Sequence, residues 1–307
     1  MRYKALILGA GQIAAGYDSP ESAGILTHAH AYMSHPGFEL TGFYDVNIDR
    51  AQEMAEKWGC FAFRSLADVG DVDVVSVCVP DEFHAQSVLS VSELLNPKCV
   101  LLEKPVARTR EEWLRLDALD IPIVVNYSRR FSGSFQKLAA RIKSGEFGAY
   151  RTGSGFYGKG FRHNGSHMVD LLRMLVGEIV SADEISRFVD YSEDDPTKTA
   201  VLHFREGGIF VMHGCSAVDF TVFEACLMFS EARIRVLDAG NVIAVDQVGS
   251  DERYSGYRTL HPHDEEVTDL SRSLYNAVDD ICGFLSGGRN SCIRCTLKDG
   301  WEAIRHG

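Results

Sequence analysis

The residues Glu103-Lys104-Pro105 close an apolar run, 99–102, with a carboxylate and an amine side by side. An ammonium that is partly stripped of water and set near a cationic ring loses proton affinity. Lys104 is therefore suited to take a proton from an alcohol or return one to a carbonyl. Strand alternation would send Glu103 to the opposite face from Lys104. The plain alternative is a lysine that ends a strand in solvent. A second group is His163-Asn164-Gly165-Ser166-His167, with Asp170 following. Two imidazoles can share acid–base work at neutral pH. His163, His167 and Asp170 could also converge on a metal, but Gly165 and a helix start near Ser166 interrupt helical spacing, so no metal is expected.

The third group is a glycine turn, Gly9-Ala10-Gly11-Gln12-Ile13-Ala14, directly after the apolar run 5–8. Asp45 closes the next strand-like segment. Glycine permits a tight turn and close approach of backbone to a pyrophosphate, and the following helix offers unpaired N–H groups. A carboxylate at the end of the second strand accepts hydrogen bonds from a ribose diol. Asp45 favours NAD over NADP, because a carboxylate repels a 2′-phosphate. Arg50 works slightly against that preference. Asp45 could also simply cap its strand.

These groups need a scaffold, and the first 125 residues alternate strand and helix patterns. Strands are expected at 3–9, 39–45, 61–63, 73–79, 99–103 and 121–126, and helices at 27–34, 49–58, 84–95 and 110–119, with a loop of Asp, Ser, Pro and Gly at 17–25. The run 73–79 is almost continuously apolar and β-branched, as suits a strand covered on both faces. This rhythm predicts an α/β fold with a doubly wound parallel sheet over 1–125, binding its ligand at the carboxyl ends of the strands. Beyond 126 the texture changes. Helices are expected at 135–144 and 166–176, and short strands from 179 to 248. Gly207-Gly208 is a hairpin signal. A charged loop is expected at 249–268, and closing helices at 273–285 and 297–305. The second domain, 126–307, is expected to be α+β with a largely antiparallel open sheet, its last helices able to pack on the first domain.

Composition narrows the partners. With 31 basic and 43 acidic side chains the chain carries a formal charge of −12, which argues against nucleic acid or a membrane surface. No targeting segment or membrane span is evident, so a cytoplasmic setting is expected. Eight cysteines are scattered through the chain. Cys78 and Cys99 read as small buried hydrophobes. Cys292-Ile293-Arg294-Cys295 lacks the second ligand pair that zinc would need.

Taken in order, Gly9-x-Gly11-x-x-Ala14, Asp45, Pro80-x-x-x-His84, Glu103-Lys104-Pro105, 126–131 and 163–172 resemble the glucose–fructose oxidoreductase / inositol dehydrogenase / MocA (Gfo/Idh/MocA) family. The resemblance implies a Rossmann domain followed by an α/β domain whose open sheet packs on a partner subunit, giving a homodimer or homotetramer. It implies that Lys104 is the catalytic lysine, and that His167 matches the histidine of an Asp-x-Gly-x-His motif. His163 stands where that motif has aspartate, which changes the charge and hydrogen bonding of the usual proton relay. The expected cofactor set is Gly9, Gly11, Gln12, Ile13, Asp45, Pro80, His84, Glu103 and Lys104. His84 is expected beneath the cofactor or as packing at a helix start. The expected substrate set is Lys104, Tyr127, Arg129, Arg162, His163, Asn164 and His167. Arg129, Arg130, Lys159 and Arg162 suit an anionic group, and Tyr127, Phe156, Tyr157 and Phe161 could stack on a sugar or pack a core. The expected activity is NAD(P)-dependent hydride transfer at a carbinol or carbonyl carbon of a sugar-like molecule, with phosphorylated or nucleotide-linked sugars favoured. The rivals are a dinucleotide-bound regulatory or scaffold protein, and an enzyme that recycles NAD without net redox.

Overall fold

A computed structural model describes residues 2–287 and 293–306. The chain divides into two compact units, Met1–Phe131 with Ser271–Trp301, and Ser132–Leu270 with Glu302–Gly307. The first unit runs β1 (Tyr3–Leu8), α1 (His28–Ser34), β2 (Phe38–Tyr44), α2 (Ile48–Trp58), β3 (Phe61–Phe63), β4 (Val74–Val77), α3 (His84–Leu94), β5 (Cys99–Leu102), α4 (Arg110–Asp117) and β6 (Ile123–Val125). All six strands are parallel, in the order β3-β2-β1-β4-β5-β6. That is the doubly wound arrangement the alternating pattern predicts, with its topological switch beside β1. The strands β4 and β5 are buried along their whole length, consistent with cover on both faces. Local signals set the helix ends. The Asn47 side chain accepts from the Asp49 and Arg50 N–H groups, and Gly59 closes α2 at a left-handed φ of 66°. Thr109 and Glu112 form a reciprocal capping box on α4.

The glycine turn is followed by a single five-residue helical turn, Gln12–Gly16, and then by the loop expected at 17–25, so the first full helix is α1. Asp18 explains the loop. Its carboxylate accepts from Leu26 N (2.6 Å), Thr27 N (3.2 Å), Thr27 Oγ1 (2.5 Å) and bonds His30 Nδ1 (2.9 Å), so it pins the start of α1 back against the loop. The short turn is itself tied down. The Ala15 carbonyl accepts from Lys57 Nζ (2.9 Å) and Trp58 Nε1 (3.1 Å), both on the last turn of α2. A fully buried Trp58 contributes about 2–3 kcal/mol of burial to that docking.

The second unit runs α5 (Gly133–Lys143), β7 (Tyr150–Tyr157), α6 (Ser166–Leu175), β8 (Ile179–Ser192), β9 (Asp195–Phe204), β10 (Ile209–Gly214), β11 (Phe223–Phe229), β12 (Ala232–Leu237), β13 (Val242–Ser250) and β14 (Arg258–Val267). These eight strands form one sheet, β14-β13-β12-β11-β7-β10-β9-β8, antiparallel except between β7 and β10. The Gly207-Gly208 hairpin joins β9 to β10, both glycines at positive φ. Apolar side chains of α5 and α6, among them Phe135, Met168 and Leu172, share one core with Phe210, Leu227 and Ile234 of the sheet. Gly153 and Gly155 lie inside β7 because the Phe210 ring crosses it: a Cβ at either would stand under 3 Å from that ring.

The segment 249–268, expected as a loop, contains β14 instead. Pairing with β13 supplies the hydrogen bonds that its local sequence does not demand, and its Asp264, Glu265 and Glu266 suit an edge strand that must not recruit a neighbour. α7 (Ser273–Leu285) is part of the first unit, where Asn276 Nδ2 donates to Phe131 O at 2.9 Å. α8 (Leu297–Glu302) follows. Cys292 lies outside the described residues, so the Cys292–Cys295 spacing has no structural account here. No helix among the described residues is long and apolar enough to cross a membrane.

Candidate functional site

Register brings the nucleotide-site candidates to one line. Leu8, Tyr44, Val77, Leu102 and Val125 are level across the parallel sheet. The residues that follow them, Gly9, Asp45, Cys78, Glu103 and Asn126, therefore share its carboxyl edge. The ladder continues one step past the strands: Gly9 N donates to Tyr44 O, Cys78 N to Leu8 O, Glu103 N to Val77 O and Asn126 N to Leu102 O, at 2.8–3.1 Å. Ligands of open α/β sheets bind at this edge.

The two glycines of the turn differ in kind. Gly9 has φ +88°, and a Cβ there would lie 2.7 Å from the Cys78 carbonyl oxygen. It lets β1 turn out of the sheet. Gly11 has ordinary φ, −83°, and a Cβ there would meet nothing within 4 Å. Its bare face is the cradle that a pyrophosphate needs and a side chain would fill, so the turn fits a dinucleotide. Gln12 is exposed and Ile13 half-buried at the start of the short turn, and Ala14 is wholly buried. Asp45 is tied to the turn directly: Oδ2 accepts from Ala10 N and Oδ1 from Asn47 N, both at 2.8 Å. Each oxygen has a second lone pair, so strand-end capping and ribose binding are compatible.

Pro80 is exposed after β4, and His84 opens α3 with almost no exposed surface. His84 Nδ1 lies 2.6 Å from Pro105 O and Nε2 lies 3.0 Å from Val79 O. Burial lowers the proton affinity of His84 against the opposing pull of those carbonyls and of Glu103. A neutral ring donates through one nitrogen only, and the shorter contact is to Pro105. His84 thus holds the residue after Lys104, a role closer to the packing alternative than to direct cofactor contact. Lys104 is half-buried and precedes Pro105 through a cis peptide bond. Glu103 is buried. Its Oε1 lies 2.9 Å from His28 Nε2 and accepts from Asn126 Nδ2 at 2.6 Å. Burial raises the Glu103 pKa, but His28, Asn126 and Lys104 together outweigh it and hold the carboxyl below the usual carboxylate range. Tyr127 and Arg129 are both buried.

The histidine group belongs to the second unit, at the edge where β7 and β10 end. Residues Phe161–Gly165 form a five-residue turn ahead of α6. Asp195, at the start of β9, accepts from Arg162 N (2.7 Å) and His163 N (2.8 Å). Gly160 is at positive φ, and a Cβ there would collide with that carboxylate. The His163 ring packs against Tyr191 of β8 at a tilt of 31°, centroids 4.5 Å apart, with Lys159 Nζ 5.4 Å from the same tyrosine ring. Asp190 braces the neighbouring loops, accepting from Lys159 N, Ala217 N and Thr197 Oγ1. Burial pushes the Asp190 carboxyl up, and these donors more than reverse it, leaving it below its ordinary value. Asn164 Nδ2 donates to Gly158 O at 2.9 Å, and His167 is half-buried on the first turn of α6. The Arg162 guanidinium donates to Asp194 O and faces Asp195. Of the aromatic candidates, Tyr157 and Phe161 are core residues, the Tyr157 hydroxyl bonded to the Lys198 main chain, while Phe156 is exposed and stacks on His213. Among the described residues no three His, Cys, Asp or Glu side chains are grouped to hold a metal.

Sequence reasoning did not find His28, Ser76, Tyr32, Asp195 or Tyr191. His28 and Tyr32 stand four apart, which places both on one face of α1, and that spacing is the signal that could have exposed those two.

Residues 4–120 match the model of an oxidoreductase family with an NAD-binding Rossmann fold, Gfo/Idh/MocA. The D-glucoside 3-dehydrogenase of Escherichia coli K12 is 30% identical over 151 residues, 46% of this chain and 39% of that protein. Matches to the curated relatives span only 35–58% of those proteins' own length. Among solved structures, the UDP-N-acetylglucosamine 3-dehydrogenase of Acidithiobacillus ferrooxidans has a TM-score of 0.76 at 19% identity, over 99% of this chain and 95% of that one. An inositol dehydrogenase homologue of Azotobacter vinelandii, solved with NADH and myo-inositol, has a TM-score of 0.74 at 17% identity, over 99% and 93%. At such identities these structures show a common fold.

Proposed function

We propose that this chain, whose residues 4–120 match the Gfo/Idh/MocA oxidoreductase family model, is a member of that family and an NAD-dependent dehydrogenase of a sugar-like substrate. A bound nicotinamide dinucleotide supplies the hydride acceptor in oxidation and the donor in reduction. The chain's own part is the proton. Neutral Lys104 Nζ takes it from the substrate hydroxyl as the carbinol becomes a carbonyl, and the ammonium returns it in the reverse direction. His167 and His163 orient the substrate or share that proton, with Asn164 and Arg162 beside them. The observation that carries the reading is the alignment of Gly9, Asp45 and Glu103 on one sheet edge, with Lys104 next along the chain. Sugars and polyols are the substrates of relatives such as the D-glucoside and inositol dehydrogenases. Lys159, exposed beside the histidine turn, supports an anionic group on that sugar, as in a phosphorylated or nucleotide-linked one.

The test is formation of reduced nicotinamide, matched mole for mole by oxidised product, over a panel of sugars, polyols, sugar phosphates and nucleotide sugars. Tight NAD binding with no reduced nicotinamide released from any member would overturn the dehydrogenase reading in favour of a regulatory protein or of chemistry without net redox. We also propose NAD over NADP and self-association through the uncovered sheet face, where Phe156, Ile209, Val211 and His213 point away from the core. Asp45→Ala should weaken NAD by about tenfold or more, the range of one charged hydrogen bond, and reduce discrimination against NADP. It should also lower thermal stability, since Ala10 N and Asn47 N lose their acceptor. A variant that is less stable yet equally selective would leave Asp45 as a cap alone.

A further inference from the structure

Beneath the Glu103-Lys104 step lies a hydrogen-bonded chain that the reaction as described does not use. Tyr32 Oη lies 2.9 Å from Ser76 Oγ, Ser76 Oγ lies 3.0 Å from His28 Nδ1, and His28 Nε2 lies 2.9 Å from Glu103 Oε1. Asn126 Nδ2 closes on the same oxygen at 2.6 Å. Every member is buried, and Tyr32, His28 and Ser76 are wholly so. Such a chain costs desolvation that an apolar core of the same shape would avoid.

Donor counting fixes its direction. Ser76 has one proton, and among the described residues the hydrogen-bond partner of the Tyr32 hydroxyl is Ser76. If His28 were an imidazolium, its Nδ1–H would donate to Ser76, Ser76 would donate to Tyr32, and the Tyr32 proton would be buried without an acceptor. If His28 is neutral, Tyr32 donates to Ser76, Ser76 to His28 Nδ1, and Nε2–H to the carboxylate. Only the second arrangement satisfies every donor, and it points all of them at an ionised Glu103. The other titratable groups around that carboxylate do not neutralise it. The Cys78 thiol is pushed up by burial and by Glu103 itself, the Tyr32 hydroxyl is pushed up by burial, and burial lowers the proton affinity of His84. Cys99, beside Tyr32, is pushed up to about 12 by burial. The charge of Lys104 also acts on Glu103, helping to hold its carboxyl below the usual range.

We propose that Tyr32, Ser76 and His28 are positioning residues that hold Glu103 as an anion beside Lys104 and thereby set the proton affinity of the Lys104 amine. This deepens the acid–base reading of Lys104 and rests on it for its catalytic meaning. Without the chain, Glu103 is a buried carboxylate short of a donor and takes up a proton. Lys104 then loses the negative charge of Glu103 and gives up its own proton at lower pH.

The test reads the amine itself. Whole protein without added NAD is labelled with trace acetic anhydride across a pH series, and acetylation of Lys104 is followed by peptide mass spectrometry. In His28→Leu the labelling midpoint of Lys104 should fall by about one pH unit or more, the scale on which a neighbouring opposite charge acts. His28→Gln, whose amide can still donate to Glu103, should restore most of it. Glu103→Gln, which keeps the shape and removes the charge, should reproduce the fall and serves alone if His28→Leu does not fold. A folded His28→Leu or Glu103→Gln whose Lys104 midpoint matches the parent overturns the proposal, because a chain that only supports the fold would change melting temperature and leave that midpoint alone. Normal turnover in a Lys104 variant would instead sink the acid–base reading, whatever the labelling shows.

Discussion

Lys104→Met should lower turnover by about 10²–10⁴-fold, the usual contribution of a positioned acid or base, which corresponds to about 3–5 kcal/mol of barrier. Methionine keeps most of the stem and removes only the titrating amine, so β5 and the peptide to Pro105 remain supported by the same ladder bonds and by His84. NAD affinity should change little, because the turn at Gly9–Gly11 and the Asp45 carboxylate are untouched. The measurement is a single-turnover rate alongside a fluorescence titration with NAD. Equal losses in kcat and kcat/KM, with NAD affinity retained, are the signature of a group acting in the transition state. A rate within a few-fold of the parent would take the proton-transfer role away from Lys104.

What could be read from the chain alone was whatever short-range chemistry decides. Gly9, Asp45 and Lys104 announce themselves because each follows a strand-like segment, and parallel register then aligns strand ends without further information. The α2 and α4 boundaries were legible for the same reason, since Asn47, Gly59, Thr109 and Glu112 act within a few residues of themselves. What was lost depends on partners far along the chain. The loop at 17–25 was legible from its Asp, Ser, Pro and Gly, but not what pins it: Asp18 reaches Thr27 and His30, and Trp58 and Lys57 hold the Ala15 carbonyl. β14 forms because β13 offers it a ladder, although its own residues are charged.

The histidine segment shows the same division. His163 and His167 were visible as chemistry, but not what surrounds them. The carboxylate nearest the turn comes from Asp195, 32 residues beyond His163, and it is spent on the main-chain N–H of His163. The ring itself is set by Tyr191 on β8. Histidine in place of aspartate is thus accommodated by a β-strand aromatic that no spacing rule connects to it. Arg162, which looks like an anion fork in the sequence, shares that turn and is partnered by Asp195 and the Asp194 carbonyl.

Gly9→Ala and Gly11→Ala should have opposite consequences, and together they separate folding from binding. At Gly9 the backbone is left-handed, which costs a non-glycine residue about 1–2 kcal/mol. The added carbon would also stand 2.7 Å from the Cys78 carbonyl oxygen and 2.9 Å from its carbon. Those are main-chain atoms, held by Cys78 N donating to Leu8 O, and cannot rotate aside. Relief requires parting β1 from β4, so overpacking adds about 1–3 kcal/mol. The expected result is a clearly lowered melting temperature with NAD binding lost alongside it. Gly11 has room for a methyl and an ordinary φ, so Gly11→Ala should melt with the parent. Its methyl would nevertheless occupy the bare face offered to the pyrophosphate, and NAD affinity should fall by tenfold or more, about 1.4 kcal/mol. Calorimetric melting and NAD titration of both variants check this. Parent-like NAD affinity in Gly11→Ala would mean that the glycine turn only bends the chain.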